Sequence, residues 1–223
     1  MTTKTSPQRA TLHYIFDPLC GWCYAAAPLV DAARAIPGLK VELHGGGMMS
    51  GPNRRPMTPE WRSYVIPHDR RIAELSGQPF GAAYFDGLLN DNGAMLDSTP
   101  PLTAVLAAQA VADRGLDMLN RVQRGHYVEG RRIAELPVLE ELASDIGLAP
   151  SNFATAFEEL TGETTHRHIA HSRQWLARAG GQGFPTFALE TPSAQVSPVE
   201  VGRFLGQPDA WAAQLEQLIA QAL

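Results

Sequence analysis

Two segments of the chain, one near each end, have the hydrophobic pattern of a mixed α/β sheet. A short apolar run at residues 12–16 predicts a buried strand, and an alternating run at residues 39–43 predicts a second strand. Between them, residues 20–35 predict a helix that is kinked at Pro28 and ended by Pro37. A strand, a helix and a strand in this order predict a right-handed parallel crossover.

The middle of the chain, from residue 58 to about residue 178, has helical periodicity and no convincing strand. Thr58 before Pro59 is typical of a helix start, because Thr caps free N–H groups and Pro is favoured in the first turn. Further helices are predicted at residues 100–114 (closed by Gly115), 117–127, 136–146, 149–160 and 165–179. A helical run between two β segments indicates an insertion, whose helices we expect to pack as a bundle.

The β pattern resumes after residue 183. Residues 184–190 predict a strand, Val196 a short final strand, and residues 197–201 the start of a short helix. The C-terminal helix begins at Pro208, and one of its faces is apolar and should pack on the sheet: Trp211, Leu215, Leu218 and Ile219. These boundaries divide the chain into a sheet domain, residues 10–55 and 180–223, and a helical insertion domain, residues 56–179.

Composition and charge narrow the class of protein. With 223 residues, 44% of them hydrophobic, the chain can bury a large core. Its net charge of −5 gives no basic footprint for nucleic acid, and no apolar run approaches the roughly 18 residues of a membrane span. The first ten residues lack the apolar stretch of a secretory signal, so we expect a cytoplasmic protein. In that compartment, paired cysteines are more often catalytic than structural.

Both cysteines of the chain, Cys20 and Cys23, form one C-x-x-C motif between the first strand and the first helix. Residues three apart share a helix face, so the two sulfurs can close a small disulfide ring. Free N–H groups and the positive dipole end of the helix favour an anion, which here is the Cys20 thiolate. The placement predicts that Cys20 attacks a disulfide and that Cys23 resolves the mixed disulfide.

Two alternatives to redox chemistry remain for this motif. The pair supplies half of a tetrahedral zinc site, although the chain has no second C-x-x-C. The other alternative is a pair of inert buried thiols. The identity of the two residues between the cysteines, Gly21 and Trp22, argues against it. His168 and His171 lie three apart on a predicted helix and could share a metal, but the arginines beside them favour a solvated face. We therefore predict no metal site.

A glycine run, Gly45 to Gly47, lies close to Arg54 and Arg55 and could cradle a phosphate. The phosphate-loop and dinucleotide signatures are absent, so we interpret the run as a flexible connection. The aromatic residues of the helical stretch are predicted mainly as core. If several of them line a groove above Cys20, the substrate is apolar.

Two motifs carry a resemblance to a known family: Asp17-Pro18-Leu19-Cys20-Gly21-Trp22-Cys23-Tyr24 and, after the helical middle, Gly183-Phe184-Pro185-Thr186-Phe187. Together they resemble the DsbA-like thioredoxin-fold proteins, with most similarity to the cytosolic branch that includes FrnE-like dithiol oxidoreductases. The same fold is shared by kappa-class glutathione transferases and hydroxychromene-carboxylate isomerases. The resemblance covers residues 12–223 and implies an α/β thioredoxin-like fold with an all-helical insertion domain.

The resemblance also implies roles for individual residues. Cys20 matches the nucleophilic cysteine of the family, and Cys23 matches the resolving cysteine. Pro185 matches a cis-proline that faces the disulfide, at the point where the backbone of Phe184 would pair with substrate.

The dipeptide between the cysteines, Gly21-Trp22, would support the active site but differs from those of well-known relatives. Thioredoxin has Gly-Pro there, and the strongly oxidising periplasmic enzymes have Pro-His. Because neither Gly21 nor Trp22 is basic, the thiolate has less stabilisation, and we expect a less oxidising reduction potential than that of DsbA.

The sequence thus predicts a thiol–disulfide oxidoreductase, that is, a protein disulfide oxidoreductase or isomerase. We expect no bound cofactor, with glutathione or a dithiol reductant as co-substrate, and a protein or small-molecule thiol or disulfide as partner. One alternative is a glutathione-dependent isomerase or transferase that acts on an apolar small molecule. A second alternative is a non-enzymatic module that binds zinc or a partner protein.

Overall fold

The computed structural model describes residues 10–221. Its strands are β1 (Ala10–Phe16), β2 (Leu39–Gly45), β3 (Arg55–Pro56), β4 (Met95–Leu96), β5 (Thr186–Glu190) and β6 (Val196–Pro198). Its α-helices are α1 (Gly21–Arg34), α2 (Pro59–Ser76), α3 (Thr99–Ala112), α4 (Gly115–Tyr127), α5 (Leu136–Asp145), α6 (Pro150–Leu160), α7 (Glu163–Arg178) and α8 (Pro208–Gln221). Helix α1 continues through Pro28. The mixture of helices and strands confirms the expected α/β class.

Four of the strands form the main sheet, in the order β2-β1-β5-β6. β1 pairs with β2 in parallel, as the predicted crossover requires, whereas β5 pairs antiparallel with both β1 and β6. All seven residues of β1 are buried, because this central strand is covered on both faces.

The two faces of the sheet pack against different helices. Successive side chains of a strand point to opposite faces, and on one face Leu12, Tyr14 and Phe16 join the core that contains residues of α1 and α8. Ile15, between them, packs on the other face with Trp175 of α7. The sheet is therefore the middle of three layers, with the C-terminal helix on the side that its apolar face predicts.

Helix α7, which the predicted boundaries assign to the insertion, lies directly against the sheet. The Trp175 ring stacks on His13 of β1 with ring centroids 3.7 Å apart, and His168 Nε2 accepts a hydrogen bond from the Gly45 N–H at 3.0 Å. The main core also continues from the sheet into α3 through α6 without interruption. The division of the chain at residue 179 stays a prediction, but α7 packs as a layer of the sheet domain.

The remaining helical segment forms a second hydrophobic cluster above the start of α1. Tyr24 of α1 stacks on Tyr127 of α4 at 4.9 Å between ring centroids. Tyr84 and Met57, from the segments that flank α2, pack into the same cluster. As a result, α2 and its flanking segments cover the N-terminal end of α1.

Three local predictions are wrong, each for a physical reason. A two-residue ladder, β3 with β4, lies in the stretch predicted to lack strands, and it is too short to leave a periodic pattern. α3 ends at Ala112 because Asp113 adopts a left-handed φ of 56°, so Gly115 opens α4 instead of closing α3. Ser197 pairs with Leu189 in β6, which places a strand where a short helix was predicted.

Within residues 10–221, none of the helices combines the length and apolar character that a membrane span requires.

The fully buried Trp211 offers a test of how α8 holds to the sheet. Its ring contacts Phe187 at 5.6 Å and Phe204 at 5.5 Å between centroids, and its indole N–H finds no hydrogen-bond partner among the described residues. We expect Trp211→Ala to lower the free energy of unfolding by about 3–5 kcal/mol, since it leaves a large cavity.

Trp211→Phe should cost much less, because it keeps most of the packing and removes an unpaired donor. Urea denaturation of both variants measures the difference. An equal loss in the two variants would contradict this account, because Phe fills much of the cavity that Ala leaves.

Candidate active site

The two cysteines lie where the first strand passes into the first helix. Cys20 is the N-cap residue of α1, and its backbone N–H donates to the Asp17 carbonyl at 3.1 Å in the turn that follows β1. Both thiols are free, and the Cys20 sulfur lies close enough to Cys23 to affect the pKa of the Cys23 thiol. Cys20 retains 6% of its surface exposed, whereas Cys23 is fully buried behind it. Only the first sulfur is therefore open to a second molecule.

The cis-proline loop meets the first cysteine across the site. The Phe184–Pro185 peptide bond is cis, as the resemblance implied. The Cys20 thiol donates to the Phe184 carbonyl at 3.3 Å, although the two residues are 164 positions apart. The fold thus brings together the Cys pair and the Phe184-Pro185 pair that sequence patterns singled out separately.

Cys23 is held in place from two sides. The Asp17 backbone N–H donates to its sulfur at 3.5 Å, and the Tyr14 hydroxyl donates to its carbonyl at 3.1 Å. Burial raises the pKa of the Cys23 thiol well above its usual value, and the nearby Cys20 sulfur acts in the same direction. Cys23 is therefore protonated in the reduced protein.

A buried carboxyl, Asp17, organises the backbone around the cysteines. It accepts hydrogen bonds from the Leu19 N–H at 2.9 Å, the Met48 N–H at 2.5 Å and the Ser98 hydroxyl at 2.9 Å. Burial raises its pKa to about 6, although these three donors oppose the change. No local pattern predicts this role for Asp17; the available signal in the sequence is an acid placed directly after a buried strand and before the cysteines.

Helix α2 packs directly against the turn between the two cysteines. A methyl group added at Gly21 would lie 2.9 Å from Ile72 Cδ1 and 3.0 Å from Asp69 Oδ1. Asp69 is itself buried, accepts a hydrogen bond from the Tyr84 hydroxyl at 2.7 Å, and has a pKa raised by burial to about 6. A larger residue at this position would therefore require the ends of the Ile72 and Asp69 side chains to move.

A cavity opens in front of Cys20 and continues into a groove. The cavity has a volume of about 200 Å³, and its wall includes Cys20, Gly21 and Trp22 together with side chains of the second hydrophobic cluster. The groove, about 710 Å³, passes between the segment at residues 48–58 and the start of α2. The two spaces share four lining residues: Met48, Met49, Trp61 and Tyr64. The entrance to the sulfur is therefore mainly apolar and aromatic.

The glycine run after β2 is buried, which contradicts its interpretation as a flexible connection. A methyl group at Gly45 would lie 2.3 Å from a Leu102 methyl, and one at Gly46 would lie 2.2 Å from the Phe184 ring. Arg173 of α7 donates to the carbonyls of Gly46 and Gly47. The run is glycine because the cis-proline loop and α3 approach its backbone closely.

The fold argues against metal binding by the cysteines and by the His168–His171 pair. His168 points to the Gly45 N–H while His171 is exposed, so the two histidines do not converge on one ion. Among residues 10–221, the group of three or more His, Cys, Asp or Glu donors close enough to share an ion is His13, Glu42 and His44, which lacks both cysteines. Neither cysteine therefore has the further ligands that a zinc site needs.

The chain is similar to known proteins that have a DsbA-like thioredoxin domain. Residues 11–202 match the model of the DSBA-like thioredoxin domain. The cytosolic disulfide reductase DsbM from Pseudomonas aeruginosa is 55% identical, with 95% of this chain and 100% of that chain covered and a TM-score of 0.89. A structure of the same reductase with GSH is 54% identical over 94% and 99% of the two chains, with a TM-score of 0.88.

More distant structures share the architecture. A putative protein disulfide isomerase from Nitrosomonas europaea is 26% identical over 96% of this chain and 98% of that chain, with a TM-score of 0.78. A 2-hydroxychromene-2-carboxylate isomerase is 15% identical over 95% and 98% of the chains, with a TM-score of 0.56, and is similar in fold alone. No curated protein sequence matches the chain. Since the domain model spans most of the chain and the sulfur geometry agrees with it, the protein belongs to the DsbA-like thioredoxin-domain family and is a thiol–disulfide oxidoreductase.

Proposed function

We propose that the protein is a cytoplasmic disulfide reductase in which Cys20 is the nucleophile and Cys23 the resolving cysteine. The observation that carries the assignment is the difference between the two sulfurs. Cys20 lies at the helix N-terminus, on the wall of the cavity, and Cys23 is fully buried behind it with a raised pKa. A thiolate at a helix N-terminus is the attacking form of cysteine.

The reaction has two exchange steps. The Cys20 thiolate attacks one sulfur of a substrate disulfide, forms a mixed disulfide and releases the other sulfur as a thiolate, which takes a proton from water. Cys23 then loses its proton and attacks the Cys20 sulfur, which releases the second substrate thiol and leaves a Cys20–Cys23 disulfide. Two equivalents of a thiol reductant restore the dithiol and leave as one oxidised disulfide.

The reductive direction is favoured by the charges around the dithiol. Neither Gly21 nor Trp22 is basic, and the buried carboxyls of Asp17 and Asp69 lie close to the motif. A dithiol whose thiolate is less stabilised gives up electrons more readily, so the protein is a better reductant. The DsbM neighbour is described as a cytosolic reductase, which supports the same direction and a cytoplasmic location.

Glutathione is the co-substrate that we propose. The DsbM neighbour has been solved with GSH, and the groove beside Cys20 has features that suit an anionic thiol. Arg55 lies on this groove with its guanidinium over the Trp61 ring at 4.8 Å, and no carboxylate of the described residues pairs with it. Arg54, its neighbour, is paired with Asp97 at 2.7 Å. Arg55 is therefore available for a carboxylate of glutathione.

The roles of the two cysteines can be separated by substitution. Cys20→Ser should abolish glutathione-driven reduction of insulin, since no other thiol reaches the cavity. When it is mixed with a substrate disulfide in the absence of glutathione, Cys23→Ser should accumulate a mixed disulfide on Cys20, which mass spectrometry detects, because no second thiol is present to resolve it. Insulin reduction that survives in Cys23→Ser would show that glutathione attacks the mixed disulfide directly and would contradict the resolving role of Cys23. Little insulin reduction, with a glutathione adduct on Cys20 that survives the loss of Cys23, would instead favour the glutathione-dependent isomerase or transferase hypothesis.

Arg55 can be tested with two reductants. Arg55→Gln should lower kcat/KM for glutathione about fivefold, the value of one exposed charge pair of about 1 kcal/mol, and should leave the rate with uncharged dithiothreitol unchanged. Arg71→Gln, an exposed arginine of α2 outside the groove, is the matched control. An equal loss with both reductants would show that Arg55 acts on the dithiol or the fold and not on glutathione.

The raised pKa of Asp69 makes the stability of the protein depend on pH. Between its usual value of 3.8 and about 6, the folded protein holds a proton on Asp69 that the unfolded chain has lost. The contribution of Asp69 is thus fully present below about pH 4 and is lost as the pH rises through 6, with an upper limit of about 3 kcal/mol.

Asp69→Asn should remove this dependence, so that the variant gains stability relative to the natural protein from pH 4 to pH 7. Urea denaturation at several pH values measures the difference, with the exposed Asp86→Asn as control. A constant difference across this range would mean that Asp69 is already ionised at pH 4 in the folded protein.

A further inference from the structure

On the face of the sheet opposite α1, three potential metal ligands converge. His13 comes from β1, and Glu42 and His44 come from β2; one donor atom of each lies within 4.8 Å of the others. His13 and His44 are 1% and 2% exposed, while the Glu42 side chain is 39% exposed. The cluster is separate from the cysteines, and its members lie on two neighbouring parallel strands of the sheet.

We propose that His13, His44 and Glu42 form a binding site for a divalent transition-metal ion. His13 Nδ1 and His44 Nε2 are 2.9 Å apart. Two metal–nitrogen bonds of about 2.1 Å to atoms at this separation enclose an angle of roughly 90°. That angle belongs to octahedral or square coordination, and with imidazole and carboxylate donors it suits Ni²⁺ or Cu²⁺ better than tetrahedral Zn²⁺.

The surroundings of His13 match those of a metal-bound histidine. Its second nitrogen, Nε2, lies 3.0 Å from the Glu190 carboxylate, which accepts the Nε2–H and leaves Nδ1 as a lone pair directed at His44. A carboxylate behind a ligating histidine fixes the tautomer and strengthens the ligand. The Trp175 ring, stacked on His13 at 3.7 Å, holds the plane of the imidazole.

His44 requires one change of proton position. With His13 Nδ1 as acceptor, the hydrogen bond at 2.9 Å places a proton on His44 Nε2. Metal binding replaces this hydrogen bond, and the proton moves to His44 Nδ1, so the ring changes tautomer and keeps its charge. The exchange releases no net proton and needs no oxidant.

The ion can enter from the edge of the sheet. β2 is the edge strand of the main sheet, and Glu42 also lines a solvent-filled groove of about 490 Å³ together with His168. The Glu42 carboxylate is paired with Lys40 at 3.1 Å. This pair is between exposed side chains and is worth little, so a cation displaces Lys40 at small cost.

The test uses tag-free protein with Cys20 and Cys23 joined as a disulfide, so that no thiolate can bind the probe. Calorimetric titration with Ni²⁺ should give one saturable site, and Ni²⁺ should raise the thermal unfolding temperature. Glu42→Gln should weaken binding at least tenfold, and His44→Gln should abolish it. His166→Gln, on the exposed face of α7, is the matched control and should bind as the natural protein does.

Two results would overturn the site. One is the absence of saturable Ni²⁺ binding by the disulfide form, in which case the His44–His13–Glu190 chain is a structural hydrogen-bond chain alone. The other is binding that neither Glu42→Gln nor His44→Gln weakens, which would place the ion elsewhere. If His44→Gln does not fold, Glu42→Gln decides, because Glu42 lies at the surface and its loss leaves the core intact.

Discussion

The Asp17 carboxylate holds together three segments that come from separate parts of the chain. Its oxygens accept from the turn before Cys20 through Leu19, from the glycine-rich loop through Met48 and from the start of α3 through Ser98. Ser98 is at the N-cap position of α3, but its hydroxyl donates to Asp17 and accepts from the Met49 N–H, so it serves the active site and not the helix end.

This arrangement couples the position of the cysteines to that of the cis-proline loop. The glycine-rich loop that Asp17 holds is packed against the Phe184 ring at Gly46, and the Arg173 guanidinium lies 5.2 Å from the centre of that ring. The Phe184 carbonyl in turn accepts from Cys20. A closed ring of contacts therefore runs from the sulfur through both loops and back to the helix N-terminus, and displacement of any member moves the others.

The helices between β2 and β5 are part of the site as well as of the core. α2 covers Gly21, the aromatic residues at its start line the groove, and α7 positions the glycine-rich loop through Arg173. Relatives that share the sheet and the cysteines can therefore differ in substrate through these helices alone, because the chemistry and the entrance are supplied by different parts of the chain.

The sequence predicted those features of the fold and site that are set by residues close together in the chain. The crossover, the C-x-x-C at a helix start and the proline before β5 each depend on neighbouring residues. The contact between Asp17 and Ser98 joins residues 81 positions apart, and the contact of Asp69 with Gly21 depends on how α2 is placed, so neither leaves a periodic signal. Ser197-Pro198 is typical of a helix start, yet pairing with β5 prevailed over that local preference.

The close approach of α2 to Gly21 has a consequence for engineering the redox properties of this enzyme. A side chain at the first position between the cysteines would meet the ends of Ile72 and Asp69, so a Pro-His pair would shift these side chains and change the wall of the cavity in front of Cys20. The half-buried Trp22 lies on the wall of the same cavity, so exchange of either residue between the cysteines changes the approach to Cys20 together with the reduction potential.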